Sequence, residues 1–139
     1  MGSKQNLLGR KSEREMEDFF ASHGYWALNI PRGPNGQPFD FVACKGGDFE
    51  NLIKGWFLDV KHIEKEKASF DFNRIEPNQR TSMRYARMFA GLPNLGFIIR
   101  TERDPQSFLY LSYDKLIELE EKGLKSVKIN ELERFENLI

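Results

Sequence analysis

Apolar residues recur with helical spacing over residues 11–23, where Met16, Phe19, Phe20 and His23 line one stripe. Ser12 stands three residues before Glu15, the spacing of an N-terminal capping box, and Gly24 suits the residue just past a helix end. The apolar pattern then changes, and residues 25–30, 39–44 and 56–62 read as strands. The run Pro31-Arg32-Gly33-Pro34-Asn35-Gly36 is a loop, and Lys45-Gly46-Gly47-Asp48 is a turn opening into a longer connection. The second and third strands are therefore expected to form a hairpin with an enlarged link. After a polar stretch over 64–73, Pro77 fits the first turn of a second helix reaching about residue 90. Gln79, Met83, Ala86 and Ala90 share one face of it, and Arg80, Arg84 and Arg87 share the neighbouring face. Gly91-Leu92-Pro93-Asn94 breaks this helix, and residues 95–100 and 108–111 are two further strands. A third helix is expected over 113–122, with Asp114 near its start, followed over 127–135 by a short strand or turn and a short helix. The order helix, three strands, helix, two strands, helix predicts an α/β fold with a mixed central sheet flanked by helices.

The length of 139 residues suits one domain over 1–139, with residues 1–8 expected to be a flexible lead. An apolar fraction of 40% with 12 phenylalanines supports a real core and argues against disorder. The single cysteine, Cys44, excludes an intrachain disulfide and fits a reducing cytoplasm. With only His23 and His62 beside it, a Cys/His zinc site is excluded in practice. Any metal then needs oxygen ligands, which points to Mg²⁺, with Mn²⁺ as a substitute. No apolar run approaches a membrane span, and the first eight residues lack the apolar core of a signal peptide. The formal net charge is zero, so no global field attracts nucleic acid. A DNA partner would meet a local basic face instead, such as the arginine-rich stretch over 74–103.

Chemistry concentrates on Asp59-Val60-Lys61. On a strand, residues two apart point to the same side, so Asp59 and Lys61 project together out of an otherwise apolar run. Desolvating such a pair costs free energy, which suggests a use. Asp40, between Phe39 and Phe41 on the preceding strand, converges on Asp59 if the two strands pair. Two adjacent carboxylates repel unless a cation stands between them. Glu13 lies on the core-facing side of the first helix with Met16 and Phe20, and is a further candidate ligand. Gln79 opens the apolar stripe of the second helix and is placed to bond a phosphate or water. Arg80, Arg84 and Arg87 are candidates to track a DNA backbone, and Arg32 sits in a Gly/Asn-rich loop beside Asp40. Each has a plainer alternative: a surface Asp–Lys pair, a solvated first-turn acid, a polar helix start, a hydrated helix face. Glu15 and Glu17 read as acids of that plain kind, and His62 and Cys44 as structural residues.

The runs Gly9-Arg10-Lys11-Ser12-Glu13-Arg14-Glu15-Met16, Gly24-Tyr25, Pro38-Phe39-Asp40-Phe41-Val42-Ala43 and Phe57-Leu58-Asp59-Val60-Lys61 resemble the PD-(D/E)xK nuclease pattern. More narrowly they are similar to Holliday-junction resolvases. The N-terminal motif resembles the archaeal enzymes. The RecU type is resembled by Ser69-Phe70, by Gln79 with Met83, by Gly96-Phe97-Ile98-Ile99 and by Phe108-Leu109-Tyr110-Leu111. The resemblance implies a restriction-endonuclease-like α/β core and a Mg²⁺-dependent endonuclease acting on four-way DNA junctions as a homodimer. It maps the metal and catalytic groups to Glu13, Asp40, Asp59 and Lys61, with Gln79 in support. Asp59 stands where the RecU type has Glu, and the 26 residues between Glu13 and Asp40 leave no room for that type's stalk. Alternatives from the same residues are a nuclease acting on flaps, nicked or duplex DNA, and an inactive DNA-binding module.

Overall fold

A computed structural model describes residues 3–30, 39–46 and 53–139. The first helix, α1, spans Ser3–Ser22 and so begins well before the expected start. Gly9 weakens a helix by about 1 kcal/mol but does not stop one. Ser12, expected as the cap, is instead buried inside the helix, and residues 3–8, expected as a flexible lead, are helical. Gly24 ends the segment with a φ of +79°, a conformation that glycine adopts without penalty.

Three strands follow: β1 (Tyr25–Asn29), β2 (Phe41–Lys45) and β3 (Trp56–Ile63). They pair antiparallel in sequence, Ala27 opposite Ala43 and Phe41 opposite Leu58. The polar stretch over 64–73 holds a short strand. β4 (Ser69–Asp71) pairs with β7 (Ser126–Lys128), burying Phe70 and Val127. A single 3₁₀ turn at Phe72–Arg74 leads into α2 (Pro77–Met88). β5 (Leu95–Thr101) lies parallel to β3, and β6 (Asp104–Ser112) returns antiparallel. β6 starts before the expected Phe108 because the hairpin closes near the turn, where Thr101 pairs with Asp104. Helix α3 (Tyr113–Glu121) is capped by Ser112, whose hydroxyl accepts from the Lys115 N–H. The two-residue β8 (Glu133–Arg134) pairs with β6 at the far edge.

The main sheet therefore runs β1-β2-β3-β5-β6-β8, mixed, with helices on both faces. Met16 and Phe20 of α1 pack with Phe41, Leu58, Ile98, Tyr110 and Phe135 on one face. Met83 of α2 and Leu116 and Leu119 of α3 pack with Phe97, Ile99, Leu109 and Leu111 on the other. The expected α/β architecture is the one observed. No helix among the described residues is long and apolar enough to cross a membrane.

Gly96 matters to the sheet because the Tyr110 ring lies over it, its hydroxyl donating to the Leu95 carbonyl at 3.0 Å. A Cβ at position 96 would stand 2.6 Å from the Leu111 carbonyl oxygen and 2.7 Å from the tyrosine ring. Gly96→Ala is expected to destabilise the fold by about 1–3 kcal/mol, the usual cost of overpacking, read as a lowered Tm. An unchanged Tm would contradict this packing.

Candidate active site

The site forms where β2 and β3 part. Their ladder is regular up to Phe41 opposite Leu58. One step further, the Asp40 N–H reaches both the Leu58 carbonyl at 3.0 Å and Asp59 Oδ1 at 3.1 Å. In return the Val60 N–H donates to Asp40 Oδ2 at 2.7 Å. A side chain thus takes the place of the next backbone acceptor. Among the described residues, β3 beyond this point pairs only with β5, from Asp59 opposite Phe97 to Ile63 opposite Thr101. This leaves a fork in the sheet with two carboxylates at its crotch.

Alternation along β3 sorts the side chains. Leu58 points to the α1 face with Phe41. Asp59 and Lys61 lie on the face of Phe97 and Ile99, the side covered by α2 and α3. The convergence of Asp40 and Asp59 read from the sequence is realised, with Lys61 close enough to act on Asp59 electrostatically. Asp59 is 0% exposed, and its Oδ2 has no hydrogen-bond partner among the described residues. Burial first, then the neighbouring Asp40 charge, push its pKa up to about 8, against the opposing pull of Lys61 and the Asp40 N–H. Glu76 adds to the rise.

Gln79 is buried one turn into α2, and its Oε1 accepts the Glu76 N–H at 3.2 Å. It anchors the start of the helix beside the site. Glu13 stands apart. It projects from α1, the helix of the opposite face, and its Oε2 accepts from Asn29 Nδ2 at 2.8 Å. Asn29 is adjacent to Ile30, whose N–H donates to the Asp40 carbonyl, so Glu13 shares the same end of the sheet. No group of three or more His, Cys, Asp or Glu among the described residues forms a ready-made metal cage.

The arginines divide. Arg80 forms a two-pronged pair with Glu120 of α3, at 2.8 and 3.1 Å, and also donates to the Phe72 carbonyl. Arg87 donates to Asp114 at 3.2 Å. Arg84 is exposed and lies against the Tyr85 ring. Two of the three arginines expected to track a phosphate backbone thus tie α2 to α3. Arg32, with Gly33 and Asn35, lies outside the described residues.

Glu76 and Asn29 were not visible as site residues in the sequence. Glu76 reads there as an acid before a proline, and only the fold sets it near Asp59. Glu15, read as a solvated acid, pairs with the buried Arg100 at 2.7 Å. Arg100 also stacks on Phe108 and lies beside His62, which burial, then Arg100 and Arg74, hold below the usual histidine range.

The raised Asp59 pKa has a signed consequence for metal-free protein. An acid that binds its proton more tightly when folded adds stability below its unfolded pKa, near 3.8, and this is lost as pH rises through about 8. Wild-type Tm in EDTA is therefore expected to fall between pH 5 and pH 8, and Asp59→Asn to flatten that fall. Parallel pH profiles for the two proteins would contradict the burial and charge pairing described.

No family model and no curated protein matches this sequence. Among solved structures, it is similar to Hjc, a Holliday junction resolvase from the archaeal hyperthermophile Archaeoglobus fulgidus, with a TM-score of 0.52. The likeness covers 85% of this chain and 85% of that one at 14% identity, a level at which it speaks to the fold. The chain thus has the restriction-endonuclease-like fold expected from its sequence, a mixed sheet between helices as in the archaeal resolvase.

Proposed function

We propose that this chain is a Mg²⁺-dependent DNA endonuclease of the PD-(D/E)xK kind that cuts four-way junctions as a homodimer. The observation that carries this reading is the fork at Asp40 and Asp59. A buried carboxylate with an oxygen that has no partner among the described residues, beside a second carboxylate, fits a divalent cation. Asp40 and Asp59 would hold the ion, and Glu13, at the same end of the sheet, is the further carboxylate for it. Once bound, Mg²⁺ supplies charge neutralisation at the phosphodiester and a more acidic water. Mn²⁺ is the expected substitute.

The chain's own groups have separable tasks. Lys61, beside Asp59, offers an ammonium to the attacking water or to the charge developing on the phosphorus oxygens. Gln79 and Glu76 fix the start of α2, and the Gln79 amide is the neutral group offered to a bound phosphate or its water. A homodimer provides the two centres that paired cuts need, and a two-fold axis relates them. The four-way junction as substrate draws support from the motif resemblance and from the archaeal neighbour.

The test is incubation with a labelled four-way junction and a matched linear duplex, in Mg²⁺ and in EDTA. Paired symmetric nicks on the junction alone, lost in EDTA, are expected. Asp59→Ala and Lys61→Ala are each expected to lower kcat by on the order of 10²–10³, as does removing one charge-stabilising group elsewhere. Equal cutting of both substrates would replace the junction reading by a general DNA nuclease. Absence of Mg²⁺-dependent cutting on any DNA would overturn the enzyme reading.

A further inference from the structure

The segment Arg74-Ile75-Glu76 runs alongside β3. Glu76 acts electrostatically on Asp59, and Arg74 acts on His62, three residues further along the strand. Next to the carboxylate pair lies a cleft of about 220 Å³ whose lining includes Lys61, His62 and Arg74. It lies along the part of β3 that continues past the ladder with β2. Arg74 is exposed and makes no hydrogen bond or ion pair among the described residues. His62 Nε2 is buried without a partner there.

The turn that carries Arg74 is fixed at both ends. Phe72 and Ile75 are buried, the Ile75 N–H donates to the Phe72 carbonyl, and the Phe72 N–H donates to the Lys125 carbonyl. Arg80, through its bond to the Phe72 carbonyl and its pair with Glu120, braces the same turn. The backbone that presents the Arg74 side chain is thus fixed, and the planar fork of a guanidinium suits a phosphate.

We propose that Arg74, with Lys61 beside it, forms a subsite for a backbone phosphate flanking the cleaved bond. The strand is then gripped by the Phe72–Arg74 turn, and not by the arginine face of α2. This rests on the nuclease reading and adds a positioning residue to it. Arg80 serves the subsite indirectly, by holding the turn. Two solvent-exposed acids, Glu64 and Glu102, also line the cleft, so removing one acts in the opposite direction to removing Arg74.

The test is anisotropy of a labelled four-way junction across a salt series, with Ca²⁺ in place of Mg²⁺, alongside cleavage in Mg²⁺. Arg74→Ala is expected to weaken binding about tenfold and to reduce the salt slope by about one, as for loss of a single phosphate contact. Arg74→Lys is expected to restore the slope with only part of the affinity, and Glu102→Gln to tighten binding. Lys122→Ala, at the far end of α3, is expected to match wild type. Wild-type affinity and slope in Arg74→Ala, in a protein that cuts DNA, would overturn the subsite and leave the nuclease reading standing. A wild-type protein that neither binds nor cuts any DNA would overturn the nuclease reading and the subsite with it.

Discussion

Two aspartates close the end of a strand ladder, and the rest of the site depends on how they do so. Where β2 leaves β3, backbone pairing would stop with groups unsatisfied. Asp40 prevents this: its carboxylate receives the Val60 N–H, while its own N–H serves the Leu58 carbonyl and Asp59. The same bonds lock the two acids side by side in a buried place. Backbone satisfaction thus fixes side by side two acids whose charged forms repel. The metal-free protein answers by holding Asp59 protonated toward neutral pH. On the proposed reading, a divalent cation answers the same problem and does chemistry as well.

The surrounding elements hold the fork in place. Phe41 and Leu58 are clamped from below by Met16 and Phe20 of α1. On the other face, Met83 seats α2 over the sheet, and Arg80 and Arg87 bolt that helix to α3 through Glu120 and Asp114. The α3 attachments are partly or largely solvent-exposed, so their worth lies in orientation more than in stability. They fix the start of α2, which carries Gln79, and the turn just before it.

Much of this was legible in the sequence, for physical reasons that differ by residue. Asp59 and Lys61 declared themselves by interrupting an apolar strand two residues apart, and Asp40 by standing between two phenylalanines on the strand before. Gly24 marked a helix end because few other residues accept its positive φ. The start of α1 was misplaced because Ser12 offers a cap that a continuing helix did not need. β4 escaped because a three-residue strand is made by a partner more than fifty positions away, although Phe70 and Phe72 already alternated with polar neighbours. The arginines of α2 show the same limit. Their shared face was visible, but Glu120 and Asp114, which occupy two of them, come from another helix. Glu76 and Arg74 gain meaning only from lying beside β3.

The central claim is that the fork of Asp40 and Asp59 is a divalent-cation site whose occupation displaces a proton. It is tested most directly by calorimetric titration of Mn²⁺ into metal-free protein near pH 7, repeated in buffers of different ionisation enthalpy. The account predicts binding that releases protons and is lost in both Asp40→Asn and Asp59→Asn. Binding that survives both substitutions, or that proceeds without proton release, would contradict it.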